Sequence, residues 1–361
     1  MLDLTCGLGA DALFLSRRFR RVVTLERDAT LARIAAENFA RLGAGNIEVV
    51  CSSAEEYLAQ EGLRFDWIYA DPDRRSAEGR RQVRLEACSP DILALGPLIG
   101  RASERLCVKN SPLFDTDEAL RLFPRSRVEA VSVGGECKEV VIYADGAGPL
   151  LTASAIGLGE FSARPGERAG EPPATFGAAR YRWLVIPDVA LQKTRLVRLH
   201  LAGRADCWSE NGYGFAAERP EGVLGRILEI DRIEPYDPAR LKRELKGRGA
   251  EILKRDFPLR PEELYRRLGL HPGGEVRLAF TKTGNDFLGD PPKIAIFVRP
   301  SRRRSHENSA TFRHTSPTRS SGATPANGAT PSCGGSCSST SCSSTQRGGC
   351  RSTGRSCAAR R

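Results

Sequence analysis

Two short segments of this 361-residue chain combine residue types and spacings that could do chemistry. The first runs Asp3-Leu-Thr-Cys6-Gly7-Leu-Gly9-Ala-Asp11, an apolar strand leading into a glycine-rich turn and then a helix. Gly7 and Gly9 lack the Cβ atoms that would keep a backbone away from a ligand. The helix opening near Ala10 turns its unpaired N–H groups toward the same place. Two ligand chemistries fit this turn. Gly7, Gly9 and Ala12 match the GxGxxG/A pattern that cradles a dinucleotide pyrophosphate. Asp3, four residues ahead of Gly7, favours a different ligand, because a strand-end carboxylate holds a cationic amino group and repels a pyrophosphate. Glu26 ends the next strand, where a carboxylate accepts both hydroxyls of a ribose; the competing reading is an exposed strand-end charge. Cys6 and Asp11 complete the set expected around this ligand. Ser53 follows the third strand, where it would face an adenine amine or serve as a helix N-cap.

The second segment, Tyr69-Ala-Asp71-Pro72-Asp73-Arg74-Arg75, ends the fourth strand. An Asp-Pro at this point places a carboxylate and the following carbonyl where they can accept the hydrogens of an exocyclic amine. Enzymes of that kind carry a second proline and an aromatic ring next; here Asp73 and Arg74 stand in those positions. A flat guanidinium also stacks on a nucleobase. Asp71, Pro72, Asp73 and Arg74 are therefore the expected catalytic group, with Asp71 also beside the cofactor and an amine acceptor as one option. Arg75, Arg80, Arg81 and Arg84 form a basic stretch suited to phosphate contact, or otherwise a solvated loop.

These residues need a scaffold that gathers strand ends. Leu2–Thr5, Val22–Glu26, Ile47–Cys51, Trp67–Ala70, Leu106–Lys109, Val128–Val133 and Val140–Tyr143 are short apolar or β-branched runs, as buried strands require. Leu31, Ile34, Ala35, Phe39 and Leu42 make one apolar stripe at helical spacing, and Gly43 follows as a stop. Alternating strands and helices predict a doubly wound α/β sheet. Only Gly134-Gly135 and a few polar residues separate the last two strands, so these should form an antiparallel hairpin at the edge. Seven strands in this arrangement match the class I methyltransferase (Rossmann-like) layout over residues 1–150. Met1 falls directly on the first core strand, and a helical segment ahead of it is expected to cover that face. Residues 151–178 are read as a linker, since 162–178 are rich in Pro, Gly and charge. Residues 179–299 read as a smaller α+β domain. Its strands are expected at Trp183–Ile186, Leu224–Ile230, Glu251–Arg255, Val276–Thr281 and Ile294–Val298, with helices at Pro238–Lys246 and Pro261–Leu268.

Charge divides unevenly along the chain. Residues 1–177 are net −4, residues 178–300 net +6 and residues 301–361 net +9. Polyanion binding must therefore rest on the second domain and local clusters, with Arg240, Lys242, Arg243 and Lys246 on one predicted helix as the main candidates. Beyond residue 300 there is no Leu, Ile, Val, Met, Tyr, Trp or Lys. Such a tail cannot bury enough apolar surface to offset ordering and is expected to be disordered; its composition also fits GC-rich DNA read in another frame. Five of the eleven cysteines fall in that tail, and the other six form no CxxC pair, so they are read as small buried apolar residues. Neither metal nor membrane is expected as a partner, and with no export leader in view the chain is expected to be cytoplasmic.

LDLTCGLGAD, ADPDRR, VKNSPLFD (108–115) and ECKE (136–139), with KRDFP (254–258) followed by PEEL (261–264) and the closing GGE (273–275), together resemble bacterial class I S-adenosylmethionine (SAM)-dependent methyltransferases with a C-terminal THUMP-like domain. The resemblance covers about residues 1–299. It implies SAM as cofactor and an RNA substrate, tRNA or rRNA, because THUMP domains are RNA-binding modules of tRNA-modifying enzymes. A non-catalytic RNA-binding protein on the same fold and an NAD(P)-dependent oxidoreductase are the rival readings. Protein methylation also stays open, since Asp-Pro does not distinguish an amide nitrogen from a base nitrogen.

Overall fold

The computed structural model describes residues 1–73, 84–283 and 293–299. Arg74, Arg75, Arg80 and Arg81, and the tail from residue 300, lie outside the described residues. The first part runs β1 (Leu2–Asp3), α1 (Ala10–Leu15), β2 (Val22–Glu26), α2 (Ala29–Arg41), β3 (Ile47–Cys51), α3 (Ala54–Leu58), β4 (Ile68–Ala70), α4 (Gly96–Ala102), β5 (Leu106–Asn110), α5 (Thr116–Leu122), β6 (Arg127–Val133), β7 (Glu136–Ala144), β8 (Leu150–Ile156) and β9 (Gly159–Ala163). These strands make one sheet of order β3-β2-β1-β4-β5-β7-β6-β8-β9. The first five strands are parallel, and their order reverses between β1 and β4. A ligand crevice in such a sheet opens at the strand C-termini beside this reversal, where Asp3, Gly7, Glu26 and Asp71 all fall.

Local sequence explains the elements that frame the crevice. β2 reads Val-Val-Thr-Leu-Glu, buried throughout except at Glu26, as a strand covered on both faces must be. α2 starts where the Asp28 carboxylate accepts the Thr30 and Leu31 N–H groups, and it turns Ala32, Ala35 and Phe39 inward. β6 and β7 pair antiparallel with Val133 opposite Glu136. The two residues between them, Gly134 and Gly135, have φ of 61° and 82°, the double positive φ of a two-residue hairpin turn.

Two expectations change. The sheet has nine strands rather than seven, because β8 and β9 form largely from residues assigned to the linker, and these strands place the β6–β7 hairpin inside the sheet instead of at its edge. β8 pairs with β6 in parallel along its whole length, from Arg127 opposite Leu150 to Val133 opposite Ile156. Its buried positions include Ala153, Ser154 and Ala155. Small side chains there make a weak apolar signal, and the strand is defined by its neighbours.

The second part comprises β10 (Trp183–Pro187), α6 (Val189–Lys193), α7 (Val197–Leu201), β11 (Gly214–Ala216), β12 (Gly225–Pro235), α8 (Pro238–Leu245), β13 (Gly249–Lys254), α9 (Pro261–Leu268), β14 (His271–Pro272), β15 (Val276–Lys282) and β16 (Lys293–Val298). Its sheet has the order β11-β10-β12-β16-β15-β13-β14. α8 and α9 pack Leu241, Leu245, Leu264 and Leu268 against Leu278, Phe280 and Ala295. The packing does not divide at residue 179. Ala190, Leu191, Val197 and Leu201 of α6 and α7 share a core with Val128, Ala130, Leu151 and Ala153 of the first sheet. The buried Asp188 caps α6 and accepts a hydrogen bond of 2.5 Å from the Ser132 hydroxyl on β6.

Candidate cofactor and acceptor site

The C-terminal ends of the parallel strands enclose a cavity of about 480 Å³, within the range of small-molecule sites. Gly7, Glu26, Ser53, Asp71 and Asp73 all line it. Gly7 sits in the left-handed region at φ 54° and donates its N–H to Glu26 Oε2 at 2.8 Å. The other Glu26 oxygen accepts the Asp28 N–H at 3.0 Å. Glu26 is thus fixed to the turn, and its carboxylate forms part of the cavity wall. Ser53 accepts the Glu56 N–H while Glu56 reaches back to the Ser53 N–H, a capping box that starts α3. Ser53 is thus a helix N-cap that also lines the cavity.

Four residues expected at the ligand stand elsewhere. Asp3 is fully buried beneath the turn and does not line the cavity. Its oxygens accept the Thr5 N–H at 2.9 Å and the Thr24 hydroxyl at 2.7 Å. Burial pushes its carboxyl up to about 6, against the pull of the Thr24 and Thr5 hydrogen bonds. Direct contact with an amino group is therefore replaced by bracing of the strand end. The Thr5 hydroxyl, 3.2 Å from Asp3 Oδ1, accepts the Asp71 N–H at 2.8 Å and so ties the two signature segments together. Gly9 approaches protein, not the cavity: a Cβ there would meet the Phe39 ring at 2.4 Å. Cys6 is buried in the same core, its N–H donated to the Leu25 carbonyl at 2.8 Å, and burial raises its thiol to about 11. Asp11 turns away to accept hydrogen bonds from Tyr69 Oη at 2.7 Å and Lys109 Nζ at 2.8 Å. Burial pushes the Asp11 carboxyl up, but these two donors outweigh it and the net shift is downward.

Beyond the end of β4, Pro72 is buried and Asp73 is pinned by backbone hydrogen bonds with Ser89 of 2.7 and 3.0 Å. Arg27 spans the cavity mouth to the Ser89 hydroxyl at 3.0 Å. Sequence reasoning missed Arg27 and Ser89, which lie 62 residues apart in the chain. It also missed Lys109, which stands 2.8 Å from both Asp71 Oδ2 and Asp11 Oδ2. A lysine directly after the apolar run Leu106-Cys107-Val108 of β5 was the available signal. Among the described residues, the cavity walls carry Glu26, Asp28, Glu55, Asp71 and Asp73 against Arg27. An anionic wall attracts a cationic ligand and works against a pyrophosphate.

Residues 1–77 match the family model of a methyltransferase domain, and residues 225–293 match the model described as THUMP domain-like. The chain carries a methyltransferase domain. Among curated relatives, it is 35% identical over 80 residues to Ribosomal RNA small subunit methyltransferase J of Francisella philomiragia, covering 20% of this chain and 33% of that one. It is 36% identical over 106 residues to 23S rRNA (uracil(1939)-C(5))-methyltransferase RlmD of Stenotrophomonas maltophilia, covering 26% and 24%. The chain thus spans a third or less of the length of these two relatives. A solved methyltransferase-like protein from Porphyromonas gingivalis W83 superposes with a TM-score of 0.68 at 24% identity, over 83% of this chain and 76% of that one. That likeness extends the shared fold across both parts of the molecule.

Beyond the methyltransferase domain, the THUMP domain-like segment holds the expected basic helix. Asp237 caps α8 by accepting the Ala239 and Arg240 N–H groups. Lys242, Arg243 and Lys246 are exposed. Arg240 is committed elsewhere, with Nη2 3.2 Å from the buried Glu234 carboxylate. The ends of α8 and α9 converge, the Gly247 N–H donating to the Gly269 carbonyl at 2.8 Å. Lys242 and Lys246 lie beside Gly269 at this junction, and Arg248, Arg266 and Arg267 near the same helix ends are also exposed. Arg84 is exposed, 4.0 Å from Glu86. Among the described residues no set of His, Cys, Asp or Glu is arranged to hold a metal, and no helix is long and apolar enough to cross a membrane.

Proposed function

We propose that the chain is a class I SAM-dependent methyltransferase acting on RNA, either tRNA or rRNA. The observation that carries the cofactor assignment is the anionic cavity with Glu26 fixed against Gly7. SAM supplies a methyl group on a positively charged sulfur, so its net charge suits these walls where a dinucleotide's does not. Glu26 would accept the ribose hydroxyls and Ser53 would face the adenine. Asp71 and Pro72 would hold the acceptor, with Asp73 and Arg74 flanking it. The cations at the converging ends of α8 and α9 would bind the phosphate backbone, with Arg75, Arg80, Arg81 and Arg84 contributing near the acceptor. The relatives named for rRNA methylation favour RNA over protein as the acceptor class.

Mass spectrometry of nucleosides from tRNA and rRNA of a deletion strain tests this assignment. One methylated nucleoside should vanish and return when the gene is restored. An unchanged nucleoside profile in both RNA pools would overturn the RNA assignment.

A further inference from the structure

Lys109 lies where two cavities meet. Asp71 lines the 480 Å³ cofactor cavity, while Asp11, Tyr69, Lys109 and Glu139 line a neighbouring cavity of about 410 Å³. The Lys109 ammonium joins them, 2.8 Å from Asp71 Oδ2 and 2.8 Å from Asp11 Oδ2. Three elements therefore meet at one cation: the start of α1, the end of β4 and β5. We propose that Lys109 is a positioning residue for methyl transfer, holding Asp71 by one oxygen and cancelling one of the two carboxylate charges, Asp71 at the cofactor cavity and Asp11 behind it. This inference rests on the SAM-dependent reading above.

The physical case is one of charge and geometry. Two carboxylates that share one ammonium repel each other once it is gone, and Asp71 then leaves the position that the Thr5 hydroxyl sets through its N–H. The loss would also take the triad from one net negative charge to two. A second negative charge holds a sulfonium more tightly before transfer than after, because the positive charge leaves the sulfur as the methyl departs. Stabilising the ground state in that way raises the barrier. Burial opposes the charge on Lys109, but hydrogen bonds to Asp11 and Asp71 outweigh it and raise its pKa, so the ammonium persists at neutral pH. Glu139 adds a further negative field from β7.

The test uses the full chain and compares affinities for SAM and for its neutral product S-adenosylhomocysteine (SAH) by isothermal calorimetry. Lys109→Met should shift the SAM:SAH affinity ratio toward SAM by about tenfold, while Lys109→Arg should keep it near wild type. Asp11→Asn changes the triad charge the other way and should shift the ratio toward SAH, which keeps the proposal testable if Lys109→Met fails to fold. Transfer of tritiated methyl groups to RNA from the deletion strain should fall about tenfold or more in Lys109→Met at saturating SAM. An unchanged ratio in folded Lys109→Met, or equal weakening of both ligands, would overturn the proposal. A wild-type chain that binds neither SAM nor SAH would instead overturn the methyltransferase reading itself.

Discussion

Glu26 and Asp3 are both strand-end carboxylates, yet their surroundings give them opposite work. Glu26 keeps a face on the cavity and spends its oxygens on the Gly7 and Asp28 N–H groups. Glu26→Ala should weaken SAM binding by about 1.5–3 kcal/mol, the range for hydrogen bonds to a charged group; calorimetric titration reads the change directly. Asp3 is sealed from water and its pKa rises from an ordinary 3.8 to about 6. A carboxyl that binds its proton more tightly when folded stabilises the fold while protonated. That contribution is present below pH 4 and is lost as pH rises through about 6. The loss is on the order of 3 kcal/mol. Asp3→Asn, neutral at every pH, should therefore flatten the stability profile between pH 4 and 7, seen as a smaller change in urea-unfolding free energy than in wild type. The sequence placed an acid at this position but not its depth, since Leu2 and Leu4 flank it as they would flank an exposed strand end. The Lys109 pairing was less legible still, because Asp11 lies 98 residues away.

Elements were legible where apolar periodicity was strong and illegible where neighbours define them. α9 spans Pro261–Leu268 as its spacing and its N-terminal proline indicate. β8 was hidden because its buried stretch Ala153-Ser154-Ala155 carries small side chains, and pairing with β6 and β9 makes it a strand. Gly9 shows the same limit within a motif. Its type was informative, but the close approach that requires it is to Phe39 of α2. Gly9→Ala combines a positive φ of 87° with overpacking of that ring and should cost about 2–4 kcal/mol of stability. A smaller side chain at position 39 should restore part of the loss in thermal melts. On α8, the Lys242→Ala, Arg243→Ala, Lys246→Ala triple variant should keep SAM affinity and lose RNA affinity. The slope of log affinity against log salt should become shallower by roughly 2 if the three contacts are to a single strand. An unchanged slope would return these cations to a simpler role, offsetting the negative ends of the helix dipoles.

Across the whole molecule, the two sequence-level domains are joined by packing as well as by chain. α6 and α7 contribute Leu191 and Leu201 to the core of the nine-stranded sheet, and Asp188 anchors to Ser132. Calorimetric melting should show one cooperative transition for the described body; two separated transitions would contradict this shared core. The basic α8–α9 segment and the cavity at the strand ends belong to the same compact unit. Most of this arrangement rests on one claim, that the anionic cavity at the strand ends selects SAM. The most direct measurement is calorimetric titration of the full chain with SAM and, separately, with NAD and NADP. SAM should bind at one site per chain and weaken in Glu26→Ala, with neither dinucleotide binding. Tight binding of NAD or NADP, or SAM affinity unchanged by Glu26→Ala, would contradict it.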